Sequence, residues 1–283
     1  MHLLRLIVLC ALMGVGGGCL AQPNAWRVLV HASGPYDLSE RYVRELIALA
    51  LEKGNPPGTE VQIDLTEPMS KSRAIAVLRE GQRAGFVLNI AGPVADAPLI
   101  RIGMPTFFGV SDYRICFGRP GLQREVDRIR SVRDLQRYTF AHGLGWADTP
   151  VLRANGLQVL EVQRIDSIFK MMRLGRVDLF CRNLLEVLPE VSAAPPDVNV
   201  LDGFLLRYPA PHYLYVHERD RALAEVLQTG LTAAVRDGSA QALLRRHLKA
   251  TQQRFDLKSR RVIPLAGGYD YPHEGLPRLE FLP

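Results

Sequence analysis

Apolar and polar residues alternate along Trp26–Ala32 (WRVLVHA), the pattern of a strand with one buried face. From Leu38 to Glu52 the period changes. Val43, Leu46, Ile47, Ala50 and Leu51 recur at helical spacing, and the GNPPG run at Gly54–Gly58 stops that helix. The exchange then repeats with a strand over Val61–Leu65, a helix over Ser70–Glu80 capped by Ser70 or Ser72, and a strand over Phe86–Ile90. Strand, helix, strand, helix, strand predicts an α/β layer built on parallel pairs.

An extended apolar passage follows through Phe107, Phe108 and Tyr113–Phe117. A second α/β unit is expected between Arg119 and about Tyr208. It has β-prone Tyr138–Ala141, a turn and helix, β-prone Leu157–Val162, an amphipathic helix over Ser167–Leu174 and the phrase LGRVDLFCRN. His212–His217 (HYLYVH) reads as a strand, and Arg221–Leu248 as helix broken at Asp237–Ser239. Beyond Asp256 the chain is rich in Gly and Pro, with Arg261–Leu265 able to add an edge strand.

The turn after Tyr138–Ala141 carries the clearest chemistry. Gly143 and Gly145 precede Asp148 and Thr149 at a helix start, with Pro150 at its first position. Unpaired amides at such a start can receive a carboxylate or phosphate. The alternative is an ordinary strand–turn–helix connection. The phrases GLGWADTPVLRANG (Gly143–Gly156) and LGRVDLFCRN (Leu174–Asn183) resemble the type II periplasmic solute-binding proteins, the amino-acid receptors of ABC importers, in one of that superfamily's sparsely described branches.

This resemblance implies an α/β protein with the two-lobed periplasmic-binding-protein-like II fold and a discontinuous first lobe. Residues 22–117 and 209–283 would form lobe 1 and residues 118–208 lobe 2, joined by a pair of crossings. The solute would lie between the lobes, against Gly145, Trp146, Asp148 and Thr149, with His142 beside the turn. The structural alternatives are Asp148 as the helix cap, the reading its place favours, and Trp146 as a packing residue.

Two departures from the family pattern bear on the solute. The acidic residue that holds an amino group near the end of the second-lobe strand is replaced by Arg182 and Asn183. The first-lobe T-x-x-R carboxylate clamp is missing from Asn89–Ala97, which leaves Arg73 and Arg114 as substitutes. Guanidinium forks suit carboxylate or phosphate, so a polar or anionic solute, amino-acid-like or an organic acid, is expected. Internal pairing is the structural alternative for each arginine.

Met1–Ala21 has a positive start at Arg5, an apolar stretch over Leu6–Val15 and a small-residue end, the layout of a secretory signal. Lipid attachment at Cys19 is the alternative, though Gly16–Gly18 lack the leucine of a lipobox. A periplasmic location is therefore expected. Cys116 and Cys181 either form a disulfide, as export permits, or are buried separately. The formal charge of +6 comes from scattered basic residues without interleaved aromatics, which argues against nucleic acid.

No G-x-S-x-G, HExxH, P-loop or GxGxxG motif occurs, and Cys/His spacing gives no zinc site. The expectation is a monomeric, non-catalytic binder without metal or cofactor. Its partners would be a small solute and an ABC permease or membrane sensor. The alternatives are an enzyme on the same scaffold, with Cys181 or His142 reactive, and a protein kept only for protein–protein contact.

Overall fold

A computed structural model describes residues 25–32, 38–92, 94, 98–164 and 167–269. The signal-like segment Met1–Ala21 lies outside the described residues.

The first sheet contains β1 (Ala25–Val30), β2 (Glu60–Leu65), β3 (Phe86–Ala91), β4 (Leu99–Arg101) and β11 (His212–His217), in the order β2-β1-β3-β11-β4. β1 pairs in parallel with β2 and β3, as the alternation of strands and helices requires, and β11 is antiparallel to β3 and β4. Helices α1 (Leu38–Gly54), α2 (Lys71–Arg79), α7 (Arg221–Arg236) and α8 (Ser239–Arg254) belong with it. The α1 stripe of Val43, Leu46, Ile47, Ala50 and Leu51 is fully buried. It packs on α7 so closely that a Cβ on Gly230 would stand 1.7 Å from the Ala50 carbonyl oxygen. Glycine is therefore obligatory at that crossing.

The second sheet contains β5 (Tyr113–Gly118), β6 (Thr139–Gly143), β7 (Gln158–Val162), β8 (Leu179–Asn183), β10 (Phe204–Arg207) and β12 (Arg261–Pro264). Its order is β12-β10-β5-β8-β6-β7, with β9 (Asn199–Val200) against β5. Short helices α3 (Val132–Leu135), α4 (Thr149–Ala154), α5 (Ile168–Arg173) and α6 (Val187–Ala193) complete this lobe.

The sequence boundaries differ from this arrangement at two places. Residues 113–117 were expected with the first lobe, but β5 lies inside the second sheet, antiparallel to both β8 and β10. The reason is burial. Arg114 to Gly118 are all buried, as in a central strand rather than a connector. Arg261–Leu265 does supply an edge strand, but on the second sheet, with Phe204 opposite Arg261 and Leu206 opposite Ile263. The chain therefore passes between sheets three times, after β4, after β10 and after α8, where the sequence suggested two.

Apolar packing follows those passages. Phe107, Phe108 and Val110 in the first and Phe255 and Leu257 in the third carry the core of one lobe into the other. On the second sheet Cys116 lies directly opposite Cys181, and the two are disulfide-bonded. Side chains at facing positions of an antiparallel pair project to the same side, which brings these thiols together. The bond fastens β5 to β8, the strands that carry Arg114 and Arg182.

Candidate functional site

In the second lobe the turn between β6 and α4 is shaped by its glycines. The Trp146 indole fills the place a Gly143 Cβ would need, at 2.3 Å, and Gly145 has φ of +73°. The amides of this turn are consumed by the chain itself. Leu144 N–H donates to Val162 O at 2.9 Å, Trp146 N–H to Gly143 O at 3.1 Å, and Gly145 N–H to Glu161 Oε2 at 3.0 Å. Glu161 is also held by Arg153 at 2.7 Å. The Gly145 amide, with help from Arg153, holds the Glu161 carboxyl below its usual range. The expected anion-receiving amide thus already carries the protein's own carboxylate.

Asp148 occupies the cap position of α4, yet its side chain makes no cap bond. Its Oδ2 accepts from the Tyr208 hydroxyl at 2.6 Å and from the Arg114 guanidinium at 3.2 Å. His142 Nε2 lies 3.6 Å from Oδ1, while His142 Nδ1 is 2.7 Å from the Thr149 hydroxyl. A carboxylate can only accept, so Nε2 carries the proton and Nδ1 accepts from Thr149. Burial alone would raise the Asp148 carboxyl, but His142, Arg114 and Tyr208 together hold it far below the carboxylate range. Burial lowers His142, opposed by Asp148 and reinforced by Arg182 and Arg114, so its ring is neutral near pH 7. Arg114 also donates to the carbonyls of Ser111 and Tyr113.

Arg182 is tied just as fully. Its Nε sits 2.8 and 2.9 Å from the two Glu190 oxygens, and its terminal nitrogen is 3.3 Å from Glu186. The guanidinium lies 4.5 Å from the Trp146 ring centroid and 5.2 Å from that of Phe180. Trp146 in turn meets the His142 ring edge-on at 4.7 Å.

Six of the residues singled out from sequence therefore form one cluster: Arg114, His142, Trp146, Asp148, Thr149 and Arg182, with Gly145 in the same turn. Arg73 is apart, exposed on α2.

The first-lobe side of the mouth is built from residues the sequence reading left out. Lys71 begins α2, directly after the cap Ser70. Its ammonium donates to Asn89 O at 3.2 Å and lies 3.4 Å from His31 Nδ1. His31 Nε2 is 2.9 Å from Met69 O, so that nitrogen is the donor and Nδ1 faces Lys71 with its lone pair. Thr106 bonds the Asn89 side chain at 3.0 Å and His212 O at 3.2 Å. Burial, with Arg114 and Lys71 adding to it, lowers the His212 ring to about 3. The two sides meet, because a Cβ on Gly145 would stand 3.4 Å from Ser72 Oγ. A cationic group after a serine cap at a strand's end was the available signal for Lys71. Tyr208 and His212 come from the second crossing and carried no motif.

No family model and no curated protein matches the chain. Solved structures do. An ancestral arginine-binding protein bound to arginine superimposes with a TM-score of 0.55 at 19% identity, over 80% of this chain and 98% of that one. An amino acid ABC transporter substrate-binding protein from Streptococcus pneumoniae, bound to L-arginine, gives 0.57 at 12% identity, over 80% and 95%. The fold is that of the two-lobed periplasmic solute-binding proteins. The BvgS VFT2 domain of Bordetella pertussis shares it, with a TM-score of 0.56 at 16% identity over 79% of this chain and 93% of that domain.

Proposed function

We propose that the protein is an exported, non-catalytic receptor that closes its two lobes on a small polar or anionic solute. It would deliver that solute to an ABC importer or present its occupied form to a membrane sensor. The observation that carries this reading is the meeting of two helix starts at the mouth, where Ser72 of α2, next in the chain to Lys71, comes up to the turn that holds Trp146. A solute carboxylate would bind Lys71, with Trp146 covering the rest of the molecule. The solutes in the structural neighbours support an amino-acid-like compound. Arg114 and Arg182 act here as positioning residues for Asp148 and Trp146.

The test is a thermal-shift screen of amino acids, organic acids and short peptides. At a hundredfold excess over Kd, a true solute adds about 2.7 kcal/mol, roughly 5–10 °C for a protein of this size. Lys71→Ala should then weaken binding roughly 10- to 100-fold, the value of a charge-assisted hydrogen bond. A library that leaves the melting temperature unmoved would refute the reading and favour a protein retained only for protein–protein contact.

A further inference from the structure

After α8 the chain does not end at the first lobe but returns to the second and then reaches the mouth. β12 pairs with β10, and Leu265 N–H donates to Arg207 O at 2.8 Å. Ala266 is clamped in both directions by Asn155 at the end of α4. Its N–H donates to Asn155 Oδ1 and its carbonyl accepts from Asn155 Nδ2, both at 2.8 Å. Residues 261–266 therefore move with the second lobe. Gly268, with φ of +106°, lies so near Pro209 that a Cβ would stand 2.5 Å from its carbonyl oxygen, and Tyr269 N–H donates to that same oxygen at 3.0 Å.

Tyr269 then spans the gap. Its hydroxyl donates to Ala147 O at 2.9 Å, in the turn that carries Trp146 and Asp148. Its ring lies against Gly92, where a Cβ would come within 2.7 Å of the ring carbons. Gly92 belongs to the first lobe. Its N–H donates to Pro211 O at 2.8 Å and its carbonyl accepts from the Tyr215 hydroxyl of β11 at 3.1 Å. Gly92 also has φ of +71°, so glycine is favoured there both by its backbone and by the ring it receives.

We propose that Tyr269 is a latch across the interlobe mouth, holding the lobes together before any solute arrives and forming one wall of the solute site. The inference rests on the two-lobe closure proposed above. Opening carries Ala147 away from Gly92, and Tyr269, anchored through residues 261–266 to the second lobe, must leave the Gly92 surface. The cost of parting that contact biases the free protein toward the closed form, and a pre-closed receptor loses less ordering on binding. A solute that needs the space beside Gly92 and Ala147 must fit against the phenol ring, which limits its length.

Small-angle X-ray scattering of the full chain without added solute tests this directly. The wild-type curve should match the closed arrangement, and Tyr269→Ala should shift to a larger radius of gyration with its circular dichroism spectrum unchanged. Asn155→Ala, which frees Ala266 from α4, should shift it in the same direction. If Tyr269→Ala does not fold, Tyr269→Leu carries the same comparison. Superimposable curves for wild type and the folded Tyr269 variant would overturn the latch. That outcome is separable from failure of the receptor reading, since no solute enters the measurement.

Discussion

Two helix starts face each other across the mouth, and they are solved in different ways. α2 begins by local rules. Ser70 is extended, and its hydroxyl accepts from Arg73 N–H at 3.3 Å. α4 has an equally good capping residue in Asp148, but its backbone is helical there and its carboxylate turns away to Tyr208 and Arg114. A cap bond is worth about 1 kcal/mol, whereas a charge-assisted bond to a buried guanidinium is worth more, and leaving that guanidinium unpaired costs more still. Tertiary electrostatics therefore overrides local grammar in the second lobe and not in the first. On the second-lobe side the guanidiniums meet internal carboxylates, and on the first-lobe side the Lys71 ammonium meets Asn89 O and His31.

The largest test of this contrast is Asp148→Ala. It takes the carboxylate partner from the Arg114 guanidinium, whose side chain is only 7% exposed, and removes the acceptor of Tyr208. Breaking a buried pair from one side costs roughly 3–5 kcal/mol, which urea denaturation should resolve. Asp148→Asn keeps an acceptor for Tyr208 and should cost less. A loss near 1 kcal/mol for Asp148→Ala would mean that the residue is only a cap.

The same contrast explains what the chain disclosed in advance. Periodicity placed α1, α2, β3, β11 and α7 closely, and α8 up to Leu248, short of its end at Arg254, because each buries a face against near neighbours. The Gly143–Gly156 phrase gave Gly145, Trp146, Asp148 and Thr149, with His142 just before it, since a turn and its strand are local objects, and Arg114 and Arg182 join them from β5 and β8. The pairing partners were not legible. Nothing in the sequence singled out Glu186 and Glu190, yet they occupy Arg182. Tyr208 marked only the approximate end of the second unit, yet it bonds Asp148 across 60 residues of sequence. The place of β12 was hidden for a similar reason. Four residues of edge strand indicate that a sheet is joined but not which one.

Acid titration should separate the two sides by pH. His212 on the first-lobe side has its ring lowered to about 3, and burial also lowers His142, whereas an unfolded histidine titrates near 6.5. Below about 6.5 the unfolded chain takes up protons that the folded chain refuses, so stability falls as pH falls. The slope is at most about 1.4 kcal/mol per pH unit for each histidine. Asp148 is depressed instead. Its contribution is complete above the unfolded value of about 3.9 and is lost only below it. Melting temperature against pH should therefore decline from near 6.5 and steepen below about 4. His212→Gln should reduce the slope from about 6.5 down to about 3, and Asp148→Asn only the part below about 4. A curve level from pH 7 to 4.5 would remove the buried-histidine account.

The smallest expected effect comes from Ser70→Ala, and its smallness is informative. The Ser70 hydroxyl meets one donor, Arg73 N–H, at an exposed helix start, and nothing buried is stranded when it goes. Its loss should cost about 1 kcal/mol, at the centre of the range for cap removal, and roughly 2–4 °C in melting temperature. The same substitution also loosens the first turn of α2, which sets the direction of Lys71 toward Asn89 O. If Lys71 binds the solute, Ser70→Ala should weaken binding by more than its effect on melting predicts. If the two losses match, the first-lobe cation is a bystander, and the asymmetry between the helix starts concerns stability alone.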